Sequence, residues 1–195
     1  MLTTRRAVQF ISRAALAFLV LAAAWAQPRP IDTAKSTMTV HVYKAGMLSA
    51  FGHDHDIAAP IAGGTVDVTG RKVELAVNTA AMRVQDPKAS EKDRADVQTT
   101  MLGADVLDAA NHKEIRFHST AAEPAGPGAW KVTGELNIRG TARPVSFEVR
   151  GNDSHYTGSC KLNISEFGIK AIKAAGGTVR VKDEIQIDFD IQLAN

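Results

Sequence analysis

Hydrophobic and polar residues alternate strictly near the end of the chain. Over residues 184–193 every second residue is apolar, and the residues between them are charged or carry amides. A period of two places the apolar side chains on one face of a strand and the polar ones on the other. The segment therefore predicts an antiparallel strand with one dry face and one face in water.

The same alternation recurs upstream, with turn residues between the segments. The segments that share it are 37–42, 65–68, 72–77, 115–119, 130–138, 145–149 and 156–164. Thr69 and Gly70 predict a hairpin turn, and residues 121–128, with two prolines and two glycines, predict an exposed connection. About eight strands at this spacing predict an all-β domain, either an antiparallel barrel or a sandwich.

One segment departs from the β pattern. Residues 89–102 carry their charges early and Val97, Met101 and Leu102 late, and Ser90 with Asp93 three residues on forms a helix start signal. We expect a short helical insertion here. Between two halves of a sheet it would either plug one end of a barrel or pack on the outside, and the sequence leaves both open.

The first 26 residues have the pattern of a secretory signal peptide. Three arginines precede an apolar run over residues 14–24, which is too short to span a bilayer, and Ala24 and Ala26 form a small-x-small cleavage site. We expect cleavage after Ala26, one domain over residues 27–195, a periplasmic or secreted location, and no stable membrane insertion afterwards. The alternative is an uncleaved N-terminal anchor.

Composition narrows the function classes. Residues 27–195 suit one domain with a substantial core, and loss of the three arginines takes the formal net charge from +2 to −1. A nearly neutral domain gives no electrostatic reason to bind nucleic acid. Cys160 is the only cysteine, so no intrachain disulfide can form.

The sharpest local motif is His53-Asp54-His55-Asp56. In an extended segment His53 and His55 point to the same face, where they would bind a metal with a third ligand, contact a polar ligand headgroup, or serve only as hydrogen-bonded structural residues. Two ligands without a third are weak grounds for a metal site, so we predict no metal and no cofactor. The chain has no nucleophile elbow, metalloprotease motif, phosphate loop or Cys-x-x-Cys, so we do not expect an enzyme.

Several segments together resemble a known family. They are Ile31-Asp32 with Ser36, Met101-Leu102, residues 105–108, Ile115-Arg116-Phe117, the block from Thr133-Gly134 to Pro144-Val145, and Phe167-Gly168-Ile169. In order and spacing they resemble the YceI-like, lipid- and polyisoprenoid-binding family over nearly the whole mature chain. The resemblance implies an extended lipocalin-like antiparallel β-barrel whose interior holds one isoprenoid or other long lipid chain.

The chain also departs from the family's usual pattern. Lys35-Ser36, Met101-Leu102 and His112-Lys113 stand where the family often has His-Ser, His-Leu and a Tyr-Pro-like pair, and the histidine motif resembles a divergent branch. These departures bear on the identity of the ligand more than on the fold.

Six large residues at apolar phases of the strands would fill the core of a solid barrel or line the cavity of a ligand-binding one. They are Phe117, Trp130, Leu136, Phe147, Leu162 and Phe189. The resemblance favours lining, so we predict that these six, with His53 and His55, bind an isoprenoid quinone-like or polyprenyl lipid. The rival hypotheses are a metal- or haem-linked redox accessory that uses His53 and His55, and a ligand-free stress-protective module.

Overall fold

The computed structural model describes residues 27–45, 54–87, 89–170, 173–174 and 179–194. The predicted signal peptide and His53 lie outside the described residues. The elements are β1 Arg29–Pro30, β2 Thr37–Ala45, β3 His55–Ala58, β4 Ile61–Asp67, β5 Lys72–Asn78, β6 Arg83–Val84, α1 Glu91–Leu102, β7 Glu114–Gly126, β8 Ala129–Ile138, β9 Thr141–Asn152, β10 His155–Asn163, β11 Lys173–Ala174 and β12 Val179–Gln192. Two short 3-10 helices, Thr79–Ala81 and Ile164–Phe167, complete the set.

The strands of the described residues form one antiparallel sheet of twelve. Its order is β1-β4-β5-β7-β8-β9-β10-β12-β2-β3-β6, with β11 beside β12. The segment after β1 draws distant parts of the sheet together, because the Ile31 N–H donates to the Gly64 carbonyl at 3.0 Å and the Asp32 N–H to the Gln192 carbonyl at 2.8 Å. These bonds join β4 to the end of β12 and curl the sheet into a barrel-like shell.

This architecture confirms the predicted fold class, an all-β antiparallel barrel-like domain with a short helix. The eight predicted strands correspond to β2, β4, β5, β7, β8, β9, β10 and β12. The prediction of about eight strands was too low because β1, β3, β6 and β11 have only two to four residues each. Such short strands show no alternation that a sequence pattern can detect.

One predicted loop was wrong. Strand β7 continues to Gly126, so only Pro127 and Gly128 remain between β7 and β8. Register shifts between Ser119 and Ala121 and between Pro124 and Gly126 interrupt the pairing of these strands. Such irregular positions accommodate a proline that a regular central strand would exclude.

The helical insertion is confirmed as α1. The Ser90 hydroxyl accepts a hydrogen bond from the Asp93 N–H at 3.1 Å, which caps the helix start. Val97, Thr100 and Met101 of this helix border the interior of the curled sheet. The helix is therefore part of the interior wall.

Buried apolar residues form two clusters. The larger contains Phe167, which is 1% exposed, together with Met101 of α1 and Leu136 of β8. The smaller consists of Ile31, Ile61, Ile191 and Leu193, beside the hydrogen bonds that curl the sheet. None of the helices in the described chain has the length and apolar character needed to cross a bilayer.

Candidate ligand-binding cavity

The curled sheet encloses a cavity of about 590 Å³. This volume lies in the range of pockets that hold small ligands. Apolar side chains from α1 and from most of the strands make up nearly all of its wall, among them Met38, Val40, Val42, Ile57, Leu75, Val77, Val132, Val145, Val149, Ile185 and Ile187. Alternation along the strands explains the composition, because every second side chain points inward.

Three phenylalanines form a band across this wall. The Phe117 and Phe147 ring centroids are 5.5 Å apart with planes at 52°, and those of Phe147 and Phe189 are 5.6 Å apart at 73°. All three side chains are only half-buried although they face inward. Their remaining exposure is directed at the cavity, so the interior presents aromatic surface without protein atoms to cover it.

Two glycines make room for this band. A Cβ on Gly134 of β8 would come within 2.6 Å of two ring carbons of Phe117, and one on Gly158 of β10 within 2.5 Å of the Phe189 Cζ. Real Cβ atoms do not approach other atoms so closely, so any larger residue would displace the rings. Because these strands carry no side chain here, the rings lie against the sheet and the lumen stays open.

The cavity reaches the surface at the turn between β4 and β5. Asp67, Val68, Arg71 and Lys72 border it there, and Val68 is 44% exposed. The Arg71 guanidinium lies 5.8 Å from the centroid of Trp130, a cation–π arrangement that stiffens the rim. This turn is therefore the mouth of the cavity.

A histidine and a buried carboxylate meet at another part of the wall. His55 of β3 borders the cavity, and its Nδ1 forms a hydrogen bond with Oδ2 of Asp86. The Asp86 side chain is only 5% exposed, and its Oδ1 accepts from the Asp56 N–H at 2.7 Å. The buried Asp86 carboxylate thus holds His55 at the surface of the cavity.

Asp54 and Asp56, which alternate with the histidines of the motif, are exposed on the outer face of the sheet. Asp56 Oδ1 is 2.7 Å from His41 Nδ1, and the other ring nitrogen of His41 is 3.1 Å from Asp188 Oδ2. Burial alone would raise the pKa of the Asp188 carboxyl, but hydrogen bonds from Gln186 and Ser159 and the nearby His41 hold it below its usual value. This outer network stabilises β2, β3 and β12 side by side.

Cys160 also borders the cavity. Burial raises the pKa of its thiol to about 11. A thiol that stays protonated at neutral pH is a poor nucleophile, so Cys160 contributes apolar surface. Burial similarly raises the pKa of Tyr156, another residue that borders the cavity.

The comparisons with known proteins agree with this architecture. A family model described as a YceI-like domain matches residues 30–193. The chain belongs to the YceI-like family.

Among curated proteins it is similar to a UPF0312 protein of Pseudomonas putida strain W619, with 30% identity over 89 residues, or 40% of this chain and 46% of that protein. A UPF0312 protein of Shewanella oneidensis is 25% identical over 152 residues, or 72% of this chain and 75% of the relative. The chain thus spans less than half of the first relative's length.

Solved structures share the fold of this YceI-like protein. The crystal structure of Burkholderia cenocepacia BcnA aligns with this chain with a TM-score of 0.64 at 21% identity. The alignment covers 85% of this chain and 99% of the BcnA chain. A Campylobacter jejuni YCEI protein aligns with a TM-score of 0.50 at 12% identity, over 64% of this chain and 72% of that chain. At such identities the likeness concerns the fold.

The structure places most of the residues predicted to bind a ligand around this cavity. Those at its wall are Phe117, Trp130, Leu136, Phe147, Phe189 and His55. Leu162 packs in the larger core cluster and is not among the residues at the wall, while its neighbours in phase, Cys160 and Ile164, border the cavity. Their part in binding stays a prediction, as does that of His53, which lies outside the described residues.

Sequence reasoning missed Asp86, Arg71 and the helix residues at the wall. Asp86 lies 31 positions from its partner His55, in a stretch without alternation, so no local signal marks it. Within the described ranges, no three His, Cys, Asp or Glu side chains are grouped in a way that would hold a metal ion. With His53 outside those ranges, the metal hypothesis stays untested.

Proposed function

We propose that this YceI-like protein is an exported, non-catalytic carrier that binds one isoprenoid or other long-chain lipid inside its barrel. The observation that supports this most is the cavity of about 590 Å³, with its apolar wall and its half-buried inward rings. A ligand-free protective module would instead be expected to have a filled core, because interiors normally pack to the density of organic crystals.

The hydrophobic effect supplies the affinity for such a ligand. Each methylene removed from water contributes about 0.8 kcal/mol, so a five-carbon prenyl unit gains on the order of 4 kcal/mol before the cost of association. Two or three units in the cavity would therefore bind without a charged contact. Quinone-like and polyprenyl lipids have tails of this kind, and their sequestration or transfer requires no chemical step.

Export is part of the proposal. The arginines, the short apolar run and the small residues at Ala24 and Ala26 support cleavage before Gln27 and a periplasmic or secreted location. Intact-mass measurement of protein from the periplasmic fraction should give a chain that starts at Gln27. A membrane-fixed species that retains Met1 would contradict the proposed location.

A charge placed in the cavity tests the binding site. Phe147→Arg puts a cation at the centre of the aromatic band, and an unpaired charge in apolar surroundings costs several kcal/mol, so lipid retention should be lost. The matched control is Ser146→Arg, which adds the same charge at the exposed neighbouring position. Lipid extracted from both purified proteins is quantified by mass spectrometry, and circular dichroism establishes that each is folded. Equal lipid content in two folded variants would contradict the proposed site.

A further inference from the structure

His55 borders the cavity, and one of its two ring nitrogens is bound to Asp86. A carboxylate oxygen only accepts hydrogen bonds, and Asp86 already accepts one from the Asp56 N–H at 2.7 Å. Nδ1 of His55 must therefore carry the proton in its hydrogen bond to Asp86. This arrangement fixes the ring orientation and leaves Nε2 as the atom available to a partner.

Nε2 has no protein partner among the residues that the structure describes. The His55 side chain is 22% exposed. Val42, opposite it in register, and Ile57, two residues further along β3, are apolar and border the cavity. A polar atom in such surroundings is stabilised by a hydrogen bond from whatever fills the space. If His55 moved away, the buried Asp86 carboxylate would lose a hydrogen-bond donor at a cost in free energy. This cost holds the imidazole in a fixed position, as in a preorganised polar site.

We propose that Nε2 of His55 hydrogen-bonds the terminal hydroxyl of an isoprenoid or other lipid alcohol in the cavity. This inference rests on the proposed function and assigns its polar contact. With the ring proton on Nδ1, Nε2 is a hydrogen-bond acceptor, and a hydroxyl supplies the proton that it accepts. An ether only accepts, and a hydrocarbon end does neither.

The mouth does not offer an equivalent contact. Arg71 and Lys72 are exposed there, so water satisfies their charges without a ligand. Tyr156 also borders the cavity, but among the described residues no buried carboxylate forms a hydrogen bond with its side chain. His55 is the polar side chain of the wall whose orientation is set by a carboxylate out of water.

Competition between two probes of equal tail tests the contact. Geranylgeraniol and its methyl ether are mixed in equal amounts with the wild type, and native mass spectrometry gives the ratio of the two complexes. We expect the wild type to prefer the alcohol by about three- to tenfold, the range of one hydrogen bond. His55→Asn keeps a donor at the position of Nδ1 but has no atom at the position of Nε2. The variant should therefore bind the alcohol and the ether about equally.

Two further measurements make the result specific. Tyr156→Phe removes the hydroxyl of another residue that borders the cavity and should keep the wild-type preference. His55→Gln places an amide near the Nε2 position and should recover part of the preference that His55→Asn loses. In the wild type alone, the ¹⁵N resonance of His55 Nε2 should shift with the alcohol and not with the ether, which provides a readout if His55→Asn does not fold.

The outcomes separate this inference from the function on which it rests. A wild type that binds both probes equally, or whose preference is lost in Tyr156→Phe and kept in His55→Asn, overturns the hydroxyl contact and leaves the lipid carrier intact. A folded wild type that binds neither probe overturns the carrier function itself.

Discussion

The ring of Phe189 lies directly over Gly158, so close that a Cβ on this glycine would come within 2.5 Å of Cζ. The two residues are paired in register on neighbouring strands, Gly158 on β10 and Phe189 on β12. The contact holds the ring against the sheet and out of the lumen. Gly158 is thus a determinant of cavity size.

Replacement of this glycine should therefore change both stability and binding. In Gly158→Ala the new methyl would meet the Phe189 ring and, at 2.7 Å, the backbone oxygen of Glu148. We expect a loss of about 1–3 kcal/mol in the free energy of unfolding and reduced lipid content. Gly63→Ala is the control, because a Cβ there meets no atom within 4 Å. Urea denaturation of both variants measures the effect, and equal stability of the two would contradict the role given to Gly158.

A buried hydroxyl without a partner predicts a stabilising change. Thr79 is 1% exposed, and its Oγ1 has no hydrogen-bond partner in the described structure. Thr79→Val should raise the free energy of unfolding by about 1 kcal/mol, because it removes the cost of a buried, unpaired hydroxyl. Ser36→Ala should have the opposite effect, since the Ser36 hydroxyl donates to the Gln192 carbonyl and accepts from its N–H. Denaturation midpoints that move together in the two variants would contradict this interpretation.

The outer network predicts a defined pH dependence. The pKa of Asp188 lies below its ordinary value of 3.8 in the folded protein, so its carboxylate favours folding above pH 3.8. That contribution is lost as the pH falls through the folded-state pKa. The stability difference between wild type and Asp188→Asn should be constant near neutral pH and shrink below pH 3.8. Denaturant titrations between pH 7 and pH 2.5 measure it, and an undiminished difference at the acidic end would contradict the proposed role.

Cys160 should be inert in the native protein. With a pKa of about 11, its thiol forms roughly a hundredfold less thiolate at pH 8 than an ordinary cysteine. Alkylation by iodoacetamide should accordingly be at least about 100-fold slower in the folded protein than in urea. Comparable rates in both states would show that Cys160 is accessible and reactive.

The long strands could be predicted from the sequence because their alternation is local. Residues 184–192 of the alternating segment lie within β12, Leu193 follows directly, and the hairpin at Thr69 and Gly70 joins β4 to β5 as expected. Strands β3 and β6 could not be predicted, because their four and two residues are defined by partners far along the chain.

The candidate site was predictable only in part. Periodicity places Phe147 and Leu162 on inward faces, but it does not show how far along the barrel the cavity extends. It therefore cannot distinguish Phe147 at the wall from Leu162 in the core cluster. The hydrogen bond between His55 and Asp86 is a tertiary contact that no local pattern encodes. The spacing role of Gly134 likewise depends on the ring of Phe117 from another strand.

A native mass spectrum of wild-type protein, exported and purified without detergent, tests the central proposal most directly. We expect a folded chain that carries one long-chain lipid, released by extraction and identified as an isoprenoid or related species, because the half-buried rings of the cavity are stabilised by an apolar occupant. If the protein emerges empty, the same measurement is repeated after incubation with polyprenyl and quinone lipids. A folded protein that neither carries nor takes up any long-chain lipid would contradict the proposed carrier function.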